Sequence, residues 1–370
     1  MKSGKGWHRR QVLHLLSGTI TGLSLHACAS SSSRSGSSPA ANTAASIAIV
    51  TWVGYAPLYI AQDKGFYQEF GLDLTMQVFG SGAEAIAAFT AGRTNGLSLV
   101  PSEAITVAAN GKDFRVVYVV DTSNGGDGIL ARNQIADIAG FKGQRIAVEQ
   151  GGVSHFFLLQ AIADAGLQEA DVTLINLAPD AAATAYQAGK VDIAVSYAPF
   201  LFTANTAQPD GRIIYDSSQL KLPTAIADLL IFDTQFTEQN PAALEAFIRG
   251  SLKGLEFLET NRDEGLAIAA KQLGLSPREL NEQLKGVKLT DLQANVEMLG
   301  NANSNLYLLN PMNELASFLQ TQGKIQQAPN VSNALEPKFV QTIASQTQSQ
   351  RRAQPAIADQ RERSQKFGVG

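Results

Sequence analysis

From residue 46 onward, short apolar runs alternate with amphipathic stretches. Ile47–Thr51, Leu74–Phe79, Leu97–Val100, Val116–Val120, Gln144–Val148, Val172–Asn176 and Ile193–Ser196 have the length and branched or aromatic content of strands. Between them, Pro57–Phe70, Ser81–Ala91, Ala104–Ala109, the stretch opened by Gly151-Gly152-Val153-Ser154, and Ala181–Ala188 are helical in pattern; Gly71, Gly92 and Gly166 stand where helices end. Ala225–Phe232 is an extended apolar run with Asp228 inside it. Beyond Asn240-Pro241 the pattern turns helical through Ala242–Thr260, Arg262–Leu273 and Pro277–Leu284, with Pro241 and Pro277 at first-turn positions. Strands alternating with helices predict a largely parallel α/β sheet. Two consecutive α/β units before a helical part fit one large sheet or two lobes, and the pattern alone does not choose.

The first 28 residues read as a signal peptide. Lys2, Lys5, Arg9 and Arg10 precede a modestly apolar stretch, Val12 to Leu25, too short and broken for a membrane span. It ends at Leu25-His26-Ala27-Cys28, which resembles a lipobox with His26 as a departure, so Cys28 is expected to carry a lipid anchor to the membrane. Arg9-Arg10-Gln11-Val12-Leu13 resembles a twin-arginine export motif. Residues 29–45, rich in Ser and Ala, are expected to be a flexible tether of about 20–25 Å root-mean-square reach. Residues 346–370, polar and rich in Gln and Arg, are expected to be disordered.

Composition narrows the function. The 370 residues are 45% hydrophobic and 17% charged, enough for one large or two medium domains. A net charge of -4 gives no basic footprint for nucleic acid. Cys28 is the one cysteine and His155 the one histidine beyond it, so neither a thiolate nor a histidine-rich metal site is expected. There is no Gly-x-Ser-x-Gly elbow, Walker loop or His-Glu-x-x-His, and His155 stands without a triad pattern. Asn124-Gly125-Gly126-Asp127 is glycine-rich but precedes a strand-like run rather than a helix, which argues against a phosphate cradle. No catalytic residue, metal or cofactor is expected.

The run Trp52-Val53-Gly54-Tyr55-Ala56-Pro57-Leu58-Tyr59 through Lys64-Gly65-Phe66-Tyr67, followed by Gly71-Leu72-Asp73, resembles the opening of the nitrate/sulfonate/taurine-type substrate-binding proteins of ABC importers. Ala88–Gly92, Asp121–Asp127, Gly140–Val148 and Ala188–Ala194 resemble the same family, and the likeness spans residues 47–330. It implies a two-lobed α/β fold, the type II periplasmic-binding-protein fold, with a hinge of two crossing strands. Lobe one would be residues 46–126 and 228–330, lobe two residues 127–227, with crossings near 121–130 and 220–228. It further implies a monomeric, periplasmic, lipid-anchored capture protein whose partners are a small polar solute and an ABC permease with its ATPase. Members that bind nitrate, bicarbonate or pyrimidine vitamin precursors, and a membrane-tethered ligand sensor, are the alternatives. A pyrimidine synthase of the same fold needs a cysteine-rich motif that this chain lacks.

Ligands of open α/β sheets sit beyond the carboxyl ends of the strands. The loops there nominate Trp52, Gly54 and Tyr55; Gly80, Ser81 and Gly82; Ser102; Asp121 and Asn124; Gly152 and Ser154; Tyr197; and Asp228. Gly80-Ser81-Gly82 and Gly151–Ser154 place N–H groups and a hydroxyl at helix starts, suited to an anion or to plain capping. Against an anion, Glu103, Asp121, Asp127, Glu149 and Asp228 all fall near strand ends or the hinge, while Arg93 and Lys112 fall at helix ends. Bare nitrate or sulfate would be repelled there, so an amine-bearing solute of the aminosulfonate type is favoured.

Overall fold

The computed structural model describes residues 42–222 and 224–349. The signal peptide, Cys28, most of the tether and the end of the tail lie outside these residues.

The first strand, β1 (Thr43–Val50), begins inside the stretch expected to be tether. Thr43, Ala44 and Ala45 pair in parallel register with Leu72, Asp73 and Leu74 of β2 (Leu72–Phe79). Their small side chains gave no strand signal, but the ladder needs only the backbone. β3 (Gly96–Leu99) lies on the other side of β1, and β4 (Phe114–Ser123) carries the chain to the crossing at residues 124–126. Beyond it, β5 (Asp127–Arg132), β6 (Arg145–Val148), β7 (Thr173–Asn176), β8 (Ile193–Tyr197) and β9 (Gly211–Asp216) build a second sheet. The chain returns into β10 (Ala227–Asp233), and β11 (Val287–Leu289) closes one edge. The orders are β11-β4-β10-β3-β1-β2 and β7-β6-β8-β5-β9.

Each sheet is mixed, which corrects the expectation of largely parallel pairing. β1 is parallel to β2 and β3, and β6 to β7 and β8. β5 and β10, the strands that bring the chain in from the opposite sheet, run antiparallel to both neighbours. A strand entering from the far side has the reverse direction imposed on it. Both faces of the second sheet are covered. Ile129, Ile193 and Val195 pack with Phe157, Leu158 and Ile162, whereas Leu130 and Ala194 pack with Ala183, Tyr186 and Leu201. Period-two alternation sends neighbouring apolar residues to opposite cores, which is why these strands read as unbroken apolar runs.

The helices Pro241–Thr260, Arg262–Leu273 and Pro277–Gln283 fold back onto the first sheet. A helix at Leu309–Thr321 follows, and another over residues 338–349 extends that lobe past the expected limit at residue 330. Phe339, Val340 and Ile343 are buried in its core, and the residue 346 expected to open a disordered tail lies within this last helix. Its Gln- and Ser-rich outer face concealed a regular apolar stripe.

The long helix meets Ala56–Asp63 at Gly254, where a Cβ would lie 2.1 Å from the Pro57 carbonyl oxygen. Gly254→Ala would gain about 1 kcal/mol of helix propensity. It would lose more, because a backbone carbonyl cannot step aside and overpacking costs about 1–3 kcal/mol. A urea-unfolding midpoint at or above that of the parent chain would contradict this packing.

Candidate functional site

The site begins at the carboxyl end of β1. Trp52 is extended and starts the 3₁₀ turn Val53–Tyr55, which leads directly into the Ala56–Asp63 helix. Its indole N–H donates to Asp121 Oδ2 at 3.1 Å. Gly54 permits this contact, since a Cβ there would stand 2.1 Å from Asp121 Oδ2 and 2.3 Å from Trp52 Nε1.

Asp121 on β4 is directly opposite Asp228 on β10. The register therefore sets two carboxyl groups side by side, one fully buried and the other nearly so. Tyr55 donates its hydroxyl to Asp228 Oδ1 at 2.6 Å, and Ser98 Oγ lies 2.6 Å from the same phenol. Burial pushes both acids well above the usual carboxylate range, and the charge of Asp121 pushes Asp228 up further. Asp121 Oδ1 has no hydrogen-bond partner among the described residues. Asp127, at the start of β5 and beside the Ser123 hydroxyl, is raised by burial to about 7.

Of these groups, Trp52, Asp127 and Asp228 border a cavity of about 30 Å³ between the lobes. Trp52, Asp127, Tyr197 and Asp228 form its polar and aromatic wall, and Val50, Val100, Val153 and Ile226 the rest. Tyr197, at the end of β8, meets Trp52 edge-on with ring centroids 6.0 Å apart. Among the described residues, no lysine or arginine lines this cavity. A larger groove of about 780 Å³, between the helices Phe200–Ala207 and Pro277–Gln283, contains none of these groups.

Two carboxylates cross the cleft in opposite directions. Glu103 of lobe one accepts the Val100 N–H at 3.0 Å and the Val153 N–H at 3.1 Å, the latter opening the Val153–Asp164 helix of lobe two. Glu149 of lobe two accepts the Ala83 N–H at 3.0 Å and that of Gly82, opening the Gly82–Thr90 helix of lobe one. A helix start favours negative charge, so each contact joins the lobes by a hydrogen bond that becomes charge-assisted when the acid ionises. Burial raises Glu103 to about 8 and Glu149 in the same direction.

The other nominated residues are placed differently. Ser81 caps its own helix through the Glu84 N–H, and Gly80 precedes it. Gly82 lies against the Glu103 carboxylate. Asn124 is held in the crossing by its N–H on the Gly286 carbonyl, away from the cavity. Ser154 is buried, and its hydroxyl has no partner among the described residues. Ser102 and Gly152 line a separate opening of about 290 Å³ with His155 and Lys324. His155 accepts the Gly151 N–H and contacts Glu169, so it packs at that rim. Glu103, Asp127 and Glu149 were noted in the sequence as charges but not nominated.

Residues 52–264 match the family described as NMT1/THI5 like. The chain belongs to that family. The NMT1/THI5-like chain is 26% identical over 295 residues to the taurine-binding periplasmic protein of Escherichia coli (strain K12), covering 77% of this chain and 89% of that protein. It is 24% identical over 239 residues to a putative aliphatic sulfonates-binding protein of Bacillus subtilis (strain 168), covering 63% and 71%. Its fold matches the crystal structure of the periplasmic aliphatic sulphonate binding protein SsuA from Escherichia coli, with a TM-score of 0.65 at 19% identity over 81% of this chain and 99% of that one. The desulfurization enzyme DSZB shares the fold at 15% identity, with a TM-score of 0.60 over 83% and 100%.

The raised carboxyl groups make stability depend on pH. The folded state holds their protons more tightly than the unfolded chain does, so their contribution is full below the ordinary carboxylate range and is lost as pH rises toward about 8. The melting temperature should fall as pH rises to about 8 and level off above it; over the last part of that fall, from about pH 7, His155, whose pKa burial lowers, is already neutral. Glu103→Gln should flatten that fall; an unchanged slope would remove Glu103 as a titrating group.

Proposed function

We propose that this NMT1/THI5-like chain is the extracytoplasmic solute-binding component of an ABC importer, and not an enzyme. It captures a small polar, amine-bearing solute between its two lobes and presents the closed form to a membrane permease. The observation that carries this reading is the cavity walled by both lobes at the strand crossing, where Trp52, Asp127, Tyr197 and Asp228 converge. Trp52, Asp127, Tyr197 and Asp228 are its proposed contact residues, positioned by Gly54, Tyr55 and Asp121. The relative named as taurine-binding makes an aminoalkanesulfonate the first solute to test. The cluster supplies acids and aromatic rings but pairs no nucleophile with a base, which supports binding over turnover. Export through the N-terminal signal, by the twin-arginine route, and a lipid anchor at Cys28 complete the proposal, with the protein acting as a monomer.

A thermal-shift screen of the full chain over taurine, alkanesulfonates, nitrate, bicarbonate, pyrimidines and amines tests it. One solute at a hundredfold excess over its Kd should add about 2.7 kcal/mol of stability. Shifts only with nucleic acid or a protein would sink solute capture. Trp52→Ala should weaken the response at least about tenfold in affinity, as loss of a pocket-wall aromatic does. Ser81→Ala should instead cost about 1 kcal/mol of stability through its lost cap, without touching affinity.

A further inference from the structure

Building on solute capture at this cleft, we propose that the recognised group is a positive charge: the ligand is a small organic ammonium, and an acidic group on it is dispensable. Three independent features meet at this point. First, the cavity presents the Asp127 and Asp228 carboxyl groups with no cation to balance them among its lining residues. Asp121, behind Asp228, is fully buried, and its Oδ1 has no hydrogen-bond partner among the described residues.

Second, the aromatic wall suits a cation. Trp52 and Tyr197 are buried, stand edge-to-face, and both line the cavity. An ammonium against such rings gains about 0.5–2 kcal/mol beyond its pairing with carboxylate. The Tyr197 phenol, within reach of the charges of Glu149, Glu103, Asp127 and Asp228, adds an oxygen that can accept from an N–H. Among the described residues, no group of three or more acids or histidines is arranged to hold a metal ion, so the chemistry points to an organic cation.

Third, at each of the two helix starts that would take an anion, a backbone N–H is already taken by a carboxylate. In this fold the free N–H groups at the starts of the Gly82–Thr90 and Val153–Asp164 helices face the cleft from opposite lobes. They bind Glu149 and Glu103, each from the other lobe. A sulfonate could reach either only by displacing a buried carboxylate, which would then lie unpaired beside the incoming negative charge.

Calorimetric titration of the full chain with ethanolamine, choline, taurine and ethanesulfonate separates the two ends of the solute. Ethanolamine or choline should bind, taurine should bind no more tightly than these, and ethanesulfonate, the same skeleton without nitrogen, should bind at least about tenfold more weakly than the amine. Ethanesulfonate binding as tightly as the amines would overturn the assignment and leave solute capture standing. Silence from all four, with a thermal shift from some neutral solute, would do the same; silence from every solute would overturn both readings. Asp127→Asn and Asp228→Asn keep side-chain shape and should each weaken amine binding at least about tenfold. Unchanged amine affinity in whichever of them retains the parent's cooperative melting would also overturn the assignment.

Discussion

Two carboxylic acids side by side on adjacent strands of a dry sheet cannot both ionise, and the architecture turns on that constraint. Asp121 and Asp228 are direct cross-strand partners on β4 and β10. β4 leads out of the first lobe and β10 leads back into it, so the acid pair sits where the chain passes between lobes. Like charges opposite each other destabilise a sheet. Here the Trp52 indole donates to one acid and the Tyr55 phenol to the other, and burial beside Asp121 favours the protonated form of Asp228. Trp52 and Tyr55 are supplied by the turn that starts the first long helix, so the connection after β1 is tied to the crossing strands.

The clasp between the lobes obeys the same electrostatics. Glu103 and Glu149 could not be buried as bare charges, and each instead terminates a helix belonging to the other lobe. The exchange is reciprocal, so sliding one lobe over the other breaks both contacts together. Gly82, packed against the Glu103 carboxylate, places the two acids around one helix start, and the charge of Glu149 raises Glu103 further.

The strands and most helices were legible because period two and period 3.6 leave local traces. β9 and β11 were not: the first is half-buried along its whole length, and the second is only three residues long. The helix through residue 349 was hidden by its Gln- and Ser-rich outer face, and the start of β1 by small residues that pair through backbone alone. Strand-end position was enough to nominate Trp52, Asp121, Tyr197 and Asp228, which the structure gathers at one place. It could not reveal that Glu103 meets a residue 50 positions away, or that Glu149 meets one 66 positions away. The glycine and serine loops gave the opposite error. Their free N–H groups looked available to a ligand, and only the folded arrangement shows that the protein's own carboxylates occupy those of Ala83 and Val153.

A ligand moves a two-state equilibrium only by the difference in its affinity for the two states. In an open cleft the acids are wetted, and a cation gains little from them because water screens the pair. Closure removes that water, so an unbalanced carboxyl group must then hold a proton or a counter-charge. A proton is available at any pH below its raised pKa, and it satisfies the acid without filling the space between Trp52 and Tyr197. A small ammonium does both, and its differential affinity for the closed form therefore has a specific source in Asp127, Asp228 and the two rings. An anion would have the opposite preference, since closing the lobes would bring it toward five acids, two of which already take an N–H at the facing helix starts. The buried acids that make the empty closed form costly at high pH are thus the groups through which the proposed solute would favour closure.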